Sequence, residues 1–143
     1  MTENDIPALV AMGRIAHTES SYKSMEYSEN RCTDLGYLTL DNPDALLCLV
    51  AEKDNEIIGF CMAAIEAAYF SDEKTASDLM FYVLPEHRGS WAFLMLVRAY
   101  VQWTKDKGAK LIFLGNTFGD ETIDALYLKL GFQRMGGIFR MEV

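Results

Sequence analysis

The sequence predicts an α+β domain whose mixed sheet begins as an antiparallel meander and opens into a parallel β-α-β crossover, with helices flanking it. Three observations predict it. Two apolar, β-favouring runs, Leu46 to Lys53 and Ile57 to Ile65, are separated by the turn residues Asp54-Asn55-Glu56, which reads as a hairpin. A third such run, Asp78 to Leu84, stops at Pro85, which cannot donate to a ladder. A long amphipathic helix and a short apolar run, Leu111 to Leu114, then follow, and a parallel pair needs a connection of that kind.

The remaining elements follow in order. Asp5 is placed to cap a first helix with Pro7 in its first turn, and Ile6, Leu9, Val10 and Gly13 keep helical spacing to about His17. A polar segment with interleaved aromatics, Thr18 to Tyr27, separates it from a second helix. Ser28 is placed to cap that helix, which turns Cys32 and Leu35 inward. Asp41-Asn42-Pro43-Asp44 is a turn, and Ala67 to Ser77 reads as a polar loop. From about Ser90 to Lys107, Phe93, Leu96, Val97, Tyr100 and Trp103 share one helix face, and Gly108 is a natural stop. A last helix spans Glu121 to Leu130, and Phe132 to Val143 is expected to supply one or two closing strands.

The 143 residues fit one domain, residues 1–143. Half are hydrophobic, enough for a core without disulfides or metals. A net charge of −8 argues against a nucleic-acid or anionic-membrane partner and suits a cationic substrate or plain solubility. Cys32, Cys48 and Cys61 show no ligand spacing, and His17 and His87 lie far apart, so no metal site is expected. Cys48 and Cys61, in apolar runs, read as inert core thiols. The acidic start Met1-Thr2-Glu3-Asn4-Asp5 and the lack of a spanning apolar run predict a cytoplasmic protein.

The chemistry concentrates in Val83-Leu84-Pro85-Glu86-His87-Arg88-Gly89-Ser90-Trp91-Ala92-Phe93. A strand ends, a turn carries Arg and Gly, and a helix starts. The first-turn amides lack intrahelical acceptors and the dipole adds positive potential, which makes an anion site. By itself the stretch reads as an ordinary strand-to-helix turn with Arg88 in solvent. The second informative stretch is Leu126-Tyr127-Leu128-Lys129-Leu130-Gly131-Phe132.

The two stretches together, in this element order, resemble the GNAT acetyltransferase superfamily, and the resemblance runs from Asp5 onward. His17-Thr18-Glu19-Ser20 is similar to a segment after the first helix in GNAT proteins encoded by phages and prophages. The resemblance implies acetyl-CoA as co-substrate and direct acetyl transfer to an amine, with a small-molecule or peptide amine as partner and a homodimer as a possible assembly. Arg88, Gly89, Ser90, Trp91, Ala92 and Phe93 would cradle the CoA pyrophosphate, and Val83 would hold the pantetheine and polarise the thioester. Tyr127 would protonate the leaving thiolate; the competing account is a core aromatic on an amphipathic helix, and its position within the motif favours the functional role.

Two departures from the family pattern carry expectations of their own. Trp91 and Phe93 stand where the family has small residues, and their bulk opposes tight CoA binding, although the N–H donors remain. The strand that usually precedes the first helix has only Met1 to Asn4 to form from. An ammonium acceptor must also lose a proton before it attacks. Asp78, on one face with Met80 and Tyr82 if alternation holds, Glu66 at the end of the preceding strand, and Glu19 and His17 are the candidate bases. His17, Glu19 and Tyr22 are the candidates for the acceptor side, through charge and cation–π contact. Two rival readings are a GNAT-like module that binds CoA or a protein without turnover, and a transferase for a longer acyl-CoA.

Overall fold

The computed structural model of the chain describes residues 1–142. Four strands form one sheet in the order β1-β2-β3-β4: β1 (Leu46–Lys53), β2 (Glu56–Ala67), β3 (Lys74–Val83) and β4 (Leu111–Phe113). The first three are antiparallel and β3 pairs with β4 in parallel, so the meander does open into a crossover. Asp54 and Asn55 at the β1–β2 turn both take positive φ, as a two-residue hairpin requires. Helix α1 (Ile6–Glu19) precedes the sheet together with α2 (Glu29–Asp41), which Ser28 caps through Arg31 N–H. Helix α3 (Ala92–Asp106) makes the crossover, and α4 (Glu121–Lys129) follows β4.

Two apolar clusters divide along the sheet's two faces. On one face Met12 and Ala16 of α1 pack on Phe60 and Tyr82. On the other, Leu96, Val97 and Tyr100 of α3 and Tyr127 of α4 pack on Cys61, Ala63, Phe81 and Val83. Cys48 and Cys61 are buried; burial pushes the Cys48 thiol up to about 12 and Cys61 higher still, which keeps both as neutral thiols. Tyr100 is fully buried, and its hydroxyl donates to the Phe113 carbonyl at 3.2 Å, pinning α3 to β4.

Three expectations are corrected. Strand β3 begins at Lys74, not Asp78, because Thr75, Ala76 and Ser77 pair with Glu66, Ile65 and Ala64 on one side and with β4 on the other. Among the described residues, a polar-looking stretch is thus the only part of β3 paired on both edges. Residues 132–142 carry no strand; Val143, the end of that expectation, lies outside the described residues. The register also slips by one between Met62↔Met80 and Ala63↔Asp78, so Leu79 is the extra residue of a β-bulge. A slip of one residue reverses which face a side chain takes. Asp78 therefore does not share a face with Met80 and Tyr82; it lies on the α3–α4 side, where its charge acts on Tyr100, Tyr127 and Cys61.

Candidate active site

Strands β3 and β4 pair only over Thr75–Ser77 and Leu111–Phe113 and then diverge. Beyond Ser77 the β3 edge facing β4 lies open. Leu84 N–H bonds back to the Ile58 carbonyl on β2, so the backbone groups of Val83, one residue earlier, turn toward the open edge. The gap is a cleft of about 670 Å³ walled by Phe81, Tyr82 and Val83, by the residues 87–94 that open α3, and by Phe118, Asp120 and the first turns of α4. The far wall is tied in place: Ser21 N–H donates to the Thr117 carbonyl, Phe118 packs on Tyr82, and Asn116 bonds Asp120 and Asp124.

The turn into α3 leaves fewer free amides than the sequence suggests, because the Ser90 N–H bonds to the His87 carbonyl at 3.3 Å. His87 N–H and Arg88 N–H close short turns on Leu84 and Pro85, and Gly89 takes φ +79°, a conformation that disfavours any side chain. The first-turn amides of Phe93 and Leu94 have no acceptor within the helix, and Ser90 Oγ takes the Ala92 N–H at 3.3 Å. The two bulky departures go different ways. Phe93 turns inward against Phe81 and Tyr127, with ring centres 5.8 and 6.2 Å away, so it leaves the amides uncovered. Trp91 stays 61% exposed at the cleft wall.

Arg88 is already partnered. Its Nε donates to the Val83 carbonyl at 3.1 Å, its terminal nitrogen pairs with Glu19, and its guanidinium lies 5.3 Å from the Tyr82 ring centre. Tyr82 Oη donates to the other Glu19 oxygen at 2.7 Å. Partial burial pushes the Glu19 carboxyl up, but the bonds from Arg88 and Tyr82 win and hold it below its ordinary value. Burial, followed by the bond to Glu19, pushes Tyr82 up to about 12. Glu19 thus stands at the cleft beside the cofactor loop, while the acceptor candidates His17 and Tyr22 do not line this cleft. His17 lines a second, smaller cavity under α1 and α2, and Tyr22 is half exposed on the turn after α1.

The acid and base candidates sit differently again. Tyr127 is buried behind Phe93, between it and Phe132, and its hydroxyl donates to the Gly115 carbonyl at 3.2 Å. Burial, then the charge of Asp78, raises its pKa, so it holds its proton at neutral pH. Asp78 Oδ1 accepts the Gly115 N–H at 2.7 Å, and burial pushes its carboxyl up to about 6 against that bond. Glu66 pairs with Thr75, whereas the cleft end of the same ladder is Gly59↔Val83. Seven residues of strand place Glu66 roughly 23 Å from Val83's partner, which removes it from the candidate bases on geometry. Sequence reasoning missed Tyr82, which reads as a core aromatic, and Phe118 and Asp120, which sit in a loop whose only signal is the cap Asp120 offers to Thr122.

Comparison with known proteins decides the family. Residues 13–132 match the Acetyltransferase (GNAT) family. The chain belongs to that family. A rat protein, N-acetyltransferase 8F1, is 30% identical over 90 residues, which are 63% of this chain and 41% of that protein. The chain thus matches about two fifths of that relative's length. Among solved structures, an acetyltransferase of Clostridium acetobutylicum with acetyl-CoA has a TM-score of 0.76 at 21% identity, covering 99% of this chain and 92% of that one. An aminoglycoside acetyltransferase from an uncultured soil metagenomic sample, in complex with sisomicin, has a TM-score of 0.73 at 19% identity, covering 100% and 93%. At these identities the two structures share the fold.

Proposed function

We propose that this GNAT-family chain transfers the acetyl group of acetyl-CoA to a primary amine within a ternary complex in the cytoplasm. The observation that carries the reading is the cleft where β3 parts from β4: an open strand edge at Val83 meets the free first-turn amides of α3. The two features suit the two ends of one ligand, since an amide-bearing pantetheine can add to a strand edge and a pyrophosphate can sit on a helix N-terminus. Within residues 88–93 the N–H groups of Arg88, Ser90 and Ala92 are bonded inside the turn, so the pyrophosphate is held by those of Gly89, Trp91 and Phe93, with Arg88 as its cation.

In the transfer, the amine nitrogen attacks the thioester carbonyl carbon, a C–N bond forms, and the C–S bond breaks. Tyr127, protonated at neutral pH, supplies the proton that the thiolate takes up. The proton leaving the ammonium passes to Asp78 directly or through water, and a carboxylate near pH 6 is better matched to that task than an ordinary aspartate. His17, Glu19 and Tyr22 belong to the acceptor side of the same reading, and of the three Glu19 lines the cleft. The kinship to phage and prophage acetyltransferases rests on His17-Thr18-Glu19-Ser20.

The test is acetyl-CoA titration by calorimetry, followed by turnover across a panel of amines. Saturable binding with CoA release in the presence of an amine supports the proposal. Failure to bind acetyl-CoA even at millimolar concentration overturns it. Binding without turnover of any amine favours a CoA-holding module.

A further inference from the structure

A second cavity, about 190 Å³, lies on the opposite side of β3 from the α3–α4 core, beneath α1 and α2. Leu9, Val10, Phe60, Met62, Leu79 and Met80 are among the residues of its wall, which is almost wholly apolar. The polar groups beside it are occupied or peripheral. Tyr27 Oη donates to the Val10 carbonyl at 2.8 Å, and the His17 ring lies tilted against Tyr27 at 5.5 Å. Two glycines hold the helices in place around the space. A Cβ on Gly13 would meet Tyr27 Oη at 2.6 Å, and one on Gly36 would press on Ile6 at 3.2 Å. The bulge places Leu79 in the cavity wall, where it remains 49% exposed.

The cavity adjoins the cleft. Along β3, Leu79 and Met80 wall the cavity and Phe81 to Val83 wall the cleft; along α1, His17 walls the cavity and Glu19 the cleft. The two walls share no residue but are neighbours on both elements, so a molecule seated in the cavity lies next to the cleft. We infer that the cavity receives an apolar group carried by the acceptor, so that the preferred acceptors are primary alkylamines rather than polyhydroxylated amines. This rests on the acetyl-transfer reading above. The wall has little to offer a hydroxyl, and a polar group buried there without a partner is penalised. The chain's net charge of −8 favours the ammonium end.

The test is a series of n-alkylamines from ethylamine to octylamine, read by kcat/KM with acetyl-CoA and in parallel by melting temperature with CoA present. The expected result is a rise of about fourfold per methylene that stops once the cavity is full, with melting temperature rising along the same series. In Val10→Phe, which fills part of the cavity, the break should move to shorter chains. A flat or falling series in the wild-type protein, or a break that a folded Val10→Phe does not move, overturns the inference while leaving acetyl transfer intact. If no amine is turned over, the transfer reading fails, and the melting series still decides. A shift that grows with chain length supports the cavity's occupant, and no shift overturns it.

Discussion

Asp78 and Tyr127 grip one residue from opposite sides: the Gly115 N–H donates to Asp78 Oδ1 at 2.7 Å, and the Gly115 carbonyl accepts from Tyr127 Oη at 3.2 Å. The bulge at Leu79 makes this possible, because it turns Asp78 onto the face where α4 presents Tyr127. The two residues proposed to move protons are thereby set beside the point where β4 leaves β3.

Tyr127→Phe separates chemistry from packing. The ring keeps its contacts with Phe93 and Phe132, and one hydrogen bond to a carbonyl is lost, worth about 1 kcal/mol. The expected outcome is a fall in kcat of roughly 10²–10⁴-fold, with acetyl-CoA affinity unchanged in calorimetry. An unchanged kcat would make the hydroxyl a strut for Gly115 and no more.

Asp78 gives two pH signatures of defined sign. As a base it must be ionised, so kcat/KM should rise as pH climbs through about 6, and Asp78→Asn should flatten that limb and lower the plateau. For stability, the folded-state value is raised above the ordinary 3.8, so the folded state binds the extra proton between 3.8 and about 6. Asp78's contribution to stability then falls as pH rises through that window. Asn can still accept the Gly115 N–H, so the melting temperature of Asp78→Asn relative to wild type should increase from pH 4 to pH 7. A difference that stays constant with pH would show that the surroundings of this half-buried carboxyl do not raise its pKa.

How much of this was legible beforehand follows from which signals are local. The hairpin at Asp54-Asn55, the stop at Pro85 and the amphipathic face of α3 depend on neighbouring residues, and each appears where the sequence puts it. The start of β3 does not, because Lys74 to Ser77 looks polar and is held by partners on two other strands. The bulge at Leu79 has no residue signature, so period-two counting put Asp78 on the wrong face. Glu66 ends the strand before, and the antiparallel ladder carries that end away from Val83, to pair with Thr75. Arg88 was readable as a cation near phosphate, but its pairing with Glu19 joins residues 69 apart and no local pattern announces it.

Glu19→Gln tests that pairing. Arg88 cannot serve the pyrophosphate fully while Glu19 holds it, so removing the carboxylate's charge should tighten acetyl-CoA binding several-fold. The pair is partly solvent-facing, with 48% and 31% of the side chains exposed, so its own worth is only about 0–1 kcal/mol, and the melting temperature should move little. If Glu19 also orients the ammonium, the amine KM rises in the same variant. Weaker acetyl-CoA binding by Glu19→Gln would show that the carboxylate positions Arg88 for the phosphate rather than competing for it.

Gly89→Ala tests the cofactor loop by conformation alone. Gly89 takes φ +79°, and an added Cβ would meet nothing within 4 Å, so the substitution makes no clash. What it changes is the backbone's preference, since an L-residue in the left-handed region is disfavoured by about 1 kcal/mol. The turn must either bear that strain or relax toward negative φ, and relaxation would swing Ser90 and Trp91 away from their present places at the mouth of α3. Gly89 lies in a loop outside both apolar clusters, so relaxation is the easier course. The expected result is a loss of acetyl-CoA affinity on the order of tenfold with a melting temperature within a few degrees of wild type. The loss should be reproduced with CoA itself, because the phosphates are common to both, and it should leave the rate at saturating acetyl-CoA nearly unchanged. A variant that binds acetyl-CoA as the wild type does would mean that the residues 88–93 do not hold the phosphates, and the proposed placement of the cofactor would have to be abandoned.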